Sequence, residues 1–477
     1  MKNRLYDKTP LVRVAVGLMI GMLLGRYVTL SISLWPVFVG FVIATLSLWR
    51  HELLQSIGIF VCFVLLGFIL MVRQKKMLEV EWPDYKVKYE AMVLTTPVEK
   101  PKTMAVDILL THSSQKLKCY FYKDERSRSL QVGDGILIQS RINPNNSTYV
   151  ASWNWQKARV SLADLSVIDR SRLFFLQQRS RLLRRFSSHG LKDEQYAVVA
   201  AMVLGDKTGL TKQLKETYSI TGASHVLALS GLHLSIIYML LSLLLVGGQR
   251  RALSQLLMIL VIWAYAFLVG LPVSVIRSAM MLSVYALLSL GHRDRMSVNT
   301  LAFTAIIMLM VNPMSLFDVG FQLSFMAVLF ILIWYPVFMG MITQPFLFSH
   351  RIVKWLWSML AVSCAAQLGT APLVAYYFGR FSTWFLMTNI VVIPAATLIL
   401  YLALVVLFVP SLAYILNIIV MALNYFLGRM ANLPWASIEG LSPTVLQIVM
   451  VYVIMAAVYL LIDRLSLRKT TLSTRGW

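Results

Sequence analysis

Long apolar stretches alternate with short polar connections over most of the chain, and one longer polar stretch interrupts them. A helix needs about 20 apolar residues to cross the hydrocarbon core of a bilayer. Three suitable stretches precede the polar interruption and nine follow it, at 11–28, 30–49, 53–72, 225–246, 252–270, 272–290, 297–312, 315–340, 353–376, 384–408, 410–428 and 445–462. The pattern predicts an all-α polytopic membrane protein with about 12 transmembrane helices.

The polar interruption, residues 77–166, has the pattern of a β domain. β-branched and aromatic residues recur there in partial period two, which is typical of half-buried strands. The predicted strands are 85–94, 104–111, 116–123 and 136–142. Four or five short strands suit a small barrel of the OB kind, although a sandwich module has much the same pattern.

Between the β domain and the second set of spans lies a basic segment. Arginines alternate with leucine and phenylalanine over 170–185, which predicts an amphipathic helix at the membrane surface. Lipid headgroups are its favoured partner and nucleic acid is the alternative. Two short helices are predicted at 193–204 and 211–220, the second capped by Thr211. Residues 205–212 lack the spacing of a phosphate loop, so nucleotide binding is not predicted there.

Composition excludes an ordinary soluble protein, because 58% of the 477 residues are hydrophobic and only 14% are charged. The formal net charge of +23 fits an anionic partner, and it fits equally well many cytoplasmic loops rich in Lys and Arg. The three cysteines lie far apart and indicate neither a disulfide framework nor a zinc site.

The distribution of Lys and Arg predicts the orientation, since short cytoplasmic loops collect both residues. With both termini in the cytoplasm, the inner connections and the tail hold most of these charges: Arg50, Arg250, Arg251, Arg293, Arg295, Arg351, Lys354, Arg464, Arg468, Lys469 and Arg475. The β domain is then extracytoplasmic. Arg73, Lys75 and Lys76 argue against this, but long domains translocate largely regardless of charge.

Eight polar residues within or next to the apolar spans are the candidate site, because polar side chains in hydrocarbon are costly and usually functional. With the predicted orientation all eight fall in the outer half of the membrane: His225, Ser230, His233, Arg277, Asp318, Gln322, Gln367 and Asn389. Arg277 and Asp318 are predicted to form an ion pair. The alternative is that Arg277 extends to the outer headgroups. Gly and Pro residues interrupt the same spans, which favours a polar vestibule.

Two catalytic interpretations of this candidate site are disfavoured. Ser230 and His233 are three residues apart, a spacing that places them side by side on a helix without aiming the imidazole at the hydroxyl. This spacing therefore disfavours an intramembrane hydrolase. His225 and His233 are eight residues apart, about 12 Å along an α-helix, which is too far for one metal ion. No metal site and no cofactor are predicted.

The β domain contains a second candidate surface. Lys116, Lys118 and Lys123 alternate with Tyr120 and Tyr122. Basic and aromatic side chains in alternation suit the backbone and bases of single-stranded nucleic acid. The alternative is a half-buried strand with a solvated lysine face.

Two strings resemble the ComEC family of competence proteins, which import one strand of transforming DNA. They are His225-Val-Leu-Ala-Leu-Ser-Gly-Leu-His233 and Asn312-Pro-Met-Ser-Leu-Phe-Asp-Val-Gly-Phe-Gln-Leu-Ser-Phe-Met-Ala-Val328, with Arg277 between them. The resemblance covers about residues 190–400 and implies a channel for single-stranded DNA in the cytoplasmic membrane. It also implies partners: an extracytoplasmic DNA receptor of the ComEA type, a separate nuclease, and cytoplasmic single-strand binding and recombination proteins.

The chain departs from many members of that family. It has no His-x-His-x-Asp-His cluster after its last span, so we expect a form without the C-terminal metallo-β-lactamase-like domain, and not an enzyme. It also has no ATPase motif with which to pull a charged strand across the membrane. A secondary transporter of a small anion remains an alternative. The oligomeric state is left open, a homo-oligomer included.

Together these patterns divide the chain into five regions. The predicted regions are an N-terminal three-helix membrane region (1–73), an OB-like extracytoplasmic β domain (74–166), a basic linker with short helices (167–222), a competence-type channel domain (223–463) and a basic cytoplasmic tail (464–477).

Overall fold

The architecture is given by a computed structural model. It describes residues 9–28, 34–48, 50–78, 82–111, 113, 115–142, 149–151, 154–161, 163, 165–191, 193–245, 251–290 and 297–473. The predicted inner loops with Arg250, Arg293 and Arg295 lie outside these residues.

The chain begins with three apolar helices, α1 (Pro10–Tyr27), α2 (Trp35–Ser47) and α3 (Glu52–Leu78). α1 and α3 pack closely through glycines, because a Cβ on Gly21 would meet the Val64 carbonyl and one on Gly67 would meet the Leu18 carbonyl. Small residues of this kind allow two membrane helices to approach at backbone distance.

The β domain follows as a small curled sheet, and all four predicted strands are confirmed within one or two residues. Its elements are β1 (Val87–Val93), β2 (Val98–Glu99), β3 (Thr103–Leu110), β4 (Lys116–Tyr122), the short helix α4 (Glu125–Arg128), β5 (Gly135–Ser140), β6 (Tyr149–Ala151) and β7 (Asn154–Lys157). The strand order is β6-β4-β3-β1-β5-β7, with β2 paired to β3. Apolar side chains alternate along β4, so that Leu117, Cys119 and Phe121 enter the core.

Helix α5 (Val167–Ser188) connects the β domain to the membrane helices. Its predicted amphipathic character is confirmed, and protein covers part of its apolar face. Leu173 and Leu176 are buried against the β domain, and Phe186 joins the core of the membrane region. Sequence periodicity shows that a helix has an apolar face, but it does not show whether protein or lipid covers that face. Contact of the exposed side with headgroups stays a prediction.

The two short helices after α5 are confirmed as α6 (Asp193–Leu204) and α7 (Lys212–Ile220). The Oγ1 of Thr211 accepts a hydrogen bond from the Leu214 N–H at 3.1 Å, which confirms the predicted cap.

The remaining chain is mostly apolar helix. Its elements are α8 (Ser224–Leu227), α9 (Gly231–Leu245), α10 (Arg251–Leu268), α11 (Val273–Leu290), α12 (Val298–Val311), α13 (Val319–Met339), α14 (Gln344–Ser349), α15 (Arg351–Phe378), β8 (Arg380–Ser382), α16 (Phe385–Val406), α17 (Ala413–Ala431), β9 (Ser437–Glu439) and α18 (Val445–Ser473). β8 and β9 form a small antiparallel ribbon.

Among the described residues, eight helices are long and apolar enough to span a membrane, and four more apolar helices have 10–17 residues. The chain is therefore a multi-pass membrane protein, and the count of twelve crossings stays a prediction. Two boundaries differ from expectation. The predicted span 225–246 is broken between α8 and α9, and α18 continues through much of the predicted tail to Ser473.

Candidate functional site

An ion pair joins α11 to the start of α13. The Arg277 Nη1 donates to the Asp318 Oδ1 at 2.9 Å, and its Nη2 donates to the Ser324 Oγ at 3.3 Å. The Arg277 side chain is 5% exposed and the Asp318 side chain is 45% exposed. The predicted ion pair is confirmed, and the burial of the guanidinium argues against the alternative in which Arg277 extends to the headgroups.

Local structure explains why the carboxylate is available to this arginine. The turn Pro313–Phe317 follows α12, and Asp318 then caps α13 by accepting the Phe321 N–H at 2.8 Å. A Cβ at Gly320 would lie 2.7 Å from the Arg277 Nη2, so the glycine leaves room for the guanidinium. Sequence reasoning missed both Gly320 and Ser324. A glycine two residues after a capping aspartate was the available signal.

Ser230 and His233 lie side by side at the start of α9, as their spacing predicts, but the imidazole contacts the hydroxyl, which the spacing did not predict. The Ser230 Oγ is 3.3 Å from the His233 Nδ1, and the Ser230 N–H donates to the same nitrogen at 3.4 Å. The reason is that Ser230 lies in the non-helical break before α9, so its hydroxyl is not fixed by helix geometry relative to the ring of His233. The His233 Nε2 is buried and has no hydrogen-bond partner among the described residues. A catalytic base needs an orienting group at that nitrogen, so the contact resembles a helix cap more than a nucleophile.

His225 lies on α8, separated from His233 by the break at 228–230, and its Nδ1 is 3.0 Å from the Gly222 carbonyl oxygen. Across the described residues, no group of three or more His, Cys, Asp or Glu side chains is arranged to hold a metal ion.

The remaining polar residues of the candidate site contact side chains that sequence reasoning missed. The Tyr377 hydroxyl donates to the Gln322 Oε1 at 2.7 Å. The Asn389 Nδ2 donates to the Ser363 Oγ at 3.4 Å, while its Oδ1 is buried without a partner in the part of the chain that the structure describes. Gln367 is half-buried on α15.

Five helices that carry candidate residues contact one another in a closed ring. α9 contacts α11, α11 contacts α13, α13 contacts α15, α15 contacts α16, and α16 contacts α9 again. Each contributes one polar residue of the candidate site, in the order His233, Arg277, Gln322, Gln367 and Asn389. Asp318 stands at the start of α13, next to this ring. The circular order depends on tertiary packing and has no counterpart in the sequence pattern.

In the β domain, the alternating strand β4 presents Lys116, Lys118, Tyr120 and Tyr122 on the face opposite its buried side chains. Two of the three predicted lysines pair with carboxylates. Lys118 lies 3.9 Å from Asp107, and Lys123 donates to Glu99 at 2.8 Å.

Lys123 changes the pKa of a neighbouring carboxylate. The hydrogen bond from Lys123 and its charge lower the pKa of Glu99. Lys123 therefore already has a partner on the domain surface, whereas Lys116 stands at the other end of β4. The proposed DNA contacts of all five residues remain a prediction.

Comparison with known proteins identifies the family. The family model described as competence protein matches residues 202–465. ComE operon protein 3 of Bacillus subtilis is 27% identical over 57% of this chain and 34% of its own length. An uncharacterized protein of Aquifex aeolicus is 33% identical over 42% of this chain and 45% of its own length.

Recombination protein 2 of Haemophilus influenzae is 24% identical over 51% of this chain and 31% of its own length. The matches thus span less than half the length of each of these relatives. No solved structure matches. Because the family model covers more than half of the 477 residues, the chain belongs to the ComEC family of competence proteins.

Proposed function

We propose that the chain is a channel through which single-stranded DNA crosses the cytoplasmic membrane during natural transformation. Its family membership assigns it a role in DNA uptake during competence. The observation that carries the finer proposal is the closed ring of α9, α11, α13, α15 and α16, with one polar candidate residue on each helix. A DNA strand needs such a path, because every nucleotide carries a negative charge that hydrocarbon excludes.

Within that path we assign Arg277 and Asp318 to one unit near the outer end of the ring. The guanidinium is buried and the carboxylate is partly exposed. The ion pair therefore lowers the free-energy cost of keeping the charged arginine in the membrane. The remaining polar side chains supply hydrogen-bonding groups: His233, Gln322, Gln367 and Asn389. His225 and Ser230 lie where the span is broken, at the proposed vestibule.

We propose further that the β domain is an OB-like barrel on the extracytoplasmic side. The two ends of its sheet, β6 and β7, are successive segments separated by residues 152 and 153 only. β6 pairs with β4 in parallel, whereas β7 pairs with β5 antiparallel, and α4 lies between β4 and β5. This connectivity supports a five-stranded barrel whose last strand is divided in two.

The partners expected for this function are also proposals. They comprise an extracytoplasmic DNA receptor of the ComEA type, a separate nuclease, cytoplasmic single-strand binding and recombination proteins, and further copies of this chain.

The experiment is uptake of labelled DNA into four strains that lack the chromosomal copy and carry the wild-type chain, Arg277→Gln, Arg351→Gln, or no copy at all. Arg351 is an exposed arginine at the start of α15 and serves as the matched control. We expect strands to reach the cytoplasm with the wild type and the control. With Arg277→Gln they should stay outside it, although the protein level in the membrane is normal.

Normal entry of DNA without any copy of the chain would contradict the channel. The secondary transporter would be favoured instead if Arg277→Gln allowed normal entry of DNA but, in proteoliposomes, no longer exchanged small anions.

A further inference from the structure

A cavity of about 350 Å³ lies where the β domain, α5 and the turn between α10 and α11 meet. Among the described residues, the charged side chains that line it are four cations and one carboxylate: Lys116, Lys118, Arg172, Arg179 and Asp107. Three positive charges are thus in excess. The volume falls within the range of small-ligand sites, about 300–1,000 Å³.

The two arginines of this cavity are incompletely satisfied, and one of them is fixed by a backbone carbonyl. The Arg172 Nη2 donates to the Gly270 carbonyl oxygen at 2.9 Å, which fixes α5 to the membrane helices. The Nε atoms of Arg172 and Arg179 are both buried, and neither has a hydrogen-bond partner within the described part of the chain. Buried donors of this kind are normally satisfied by a partner.

The charge of Arg172 also disfavours the charged form of Lys116. Partial loss of water, together with the charge of Arg172, lowers the pKa of Lys116 to about 8, and Asp169 and Asp107 offset this only in part. Burial likewise lowers the pKa of Arg179, although Asp206 acts in the opposite direction. An anion in the cavity would relieve this repulsion and supply acceptors to the free Nε groups.

We propose that this cavity binds a backbone phosphate of a single DNA strand at the junction of the β domain and the membrane region. The inference rests on the proposed function. A DNA strand is favoured because Lys116 and Lys118 belong to β4, and the same face of that strand continues to Tyr120 and Tyr122. Tyr122 is 57% exposed. A phosphate held in the cavity would leave neighbouring bases within reach of these rings, as in other single-strand sites.

The site explains why the basic residues of α5 are divided between two environments. Arg172 and Arg179 face the cavity, whereas Arg184 is exposed on the same helix and does not line it. Arg184→Gln therefore removes the same charge from the same helix without touching the site.

The test uses the full chain in nanodiscs of phosphatidylcholine and a fluorescent oligo-dT strand, with affinity measured over a series of salt concentrations. We expect Arg179→Gln and Lys116→Gln each to weaken binding about tenfold, the loss of one charge-assisted hydrogen bond. Each should also reduce the slope of log K against log salt by about 0.7, the value for one phosphate contact on a single strand. Arg184→Gln should match the wild type.

Lys116→Gln gives the decisive result if Arg179→Gln proves misfolded, because Lys116 lies on the outer face of its strand and needs no repacking. Slopes equal to the wild type in both cavity variants would overturn the inference while leaving the channel proposal intact. If the cavity variants bound DNA normally but no longer retained short-chain phosphatidylglycerol, the cavity would be assigned to a lipid headgroup. That result would also overturn the inference. If the wild type binds no oligo-dT under any condition, both proposals fail.

Discussion

The carboxylate of Asp318 has two roles at the residue scale. Its Oδ1 accepts the Phe321 N–H as the cap of α13, and it also accepts the Arg277 Nη1. Removing an ion-pair partner leaves the other charge buried without compensation, which costs more than removing both charges. A substitution that keeps the cap and removes the charge can therefore separate the two roles.

Asp318→Asn is that substitution, since Asn caps helices about as well as Asp. We expect it to abolish most DNA uptake and to destabilise the protein by about 1–3 kcal/mol, because Arg277 loses its charge partner, while Asp318 is partly exposed and Asn keeps an acceptor oxygen. The double variant with Arg277→Gln should be no worse than the more severe single variant. Transformation frequency and thermal unfolding in detergent measure the two effects.

Ser297→Ala is the control for this experiment, because Ser297 caps α12 through the Thr300 N–H at 3.2 Å without an ion pair. Its effect should stay near the 1 kcal/mol typical of a lost cap. Wild-type uptake by Asp318→Asn at a normal protein level would show that the charge pair does not serve transport.

At the scale of elements, helix contacts are decided by small residues whose importance is hard to see in an apolar sequence. Gly67 on α3 faces the backbone of α1 at Leu18, whereas Gly40 on α2 has no atom within 4 Å of the position a Cβ would take. Both lie in helices, so the intrinsic preference of the helix for alanine is the same at each position.

Gly67→Ala should therefore destabilise the protein by about 1–3 kcal/mol, the usual effect of overpacking against atoms that cannot move aside. Gly40→Ala should be neutral or stabilise by up to about 1 kcal/mol, because alanine favours the helix. Thermal unfolding of the two purified variants makes the comparison. A melting temperature for Gly67→Ala at or above that of the wild type would exclude close α1 and α3 packing.

For the whole molecule, orientation is the property that the charge distribution predicts and that packing does not address. Reporter fusions near Asn145 should give an extracytoplasmic signal, and fusions after Arg251, after Arg295 and at the C-terminus should give a cytoplasmic one. Asn145 and Arg295 lie outside the described residues. A cytoplasmic signal near Asn145 would contradict the predicted orientation and would place the proposed DNA-binding cavity in the cytoplasm, on the wrong side for entry.

Residue patterns by themselves determined the class of protein, the four main strands of the β domain, the short helices α6 and α7, and the pairing of Arg277 with Asp318. Each depends on local periodicity, on a cap, or on the high cost of an unpaired charge in hydrocarbon, which a single sequence displays. The family resemblance likewise depends on contiguous strings of residues.

Only the tertiary structure decided which surfaces meet. The apolar face of α5 has the same pattern whether lipid or protein covers it, and here the β domain covers Leu173 and Leu176. Gly320 makes room for a guanidinium 43 residues earlier in the chain, and Tyr377 contacts Gln322 from another helix. Lys116 and Arg179 share a cavity although they lie in different domains. Such contacts arise from close approach between elements distant in sequence, and no local period encodes that approach.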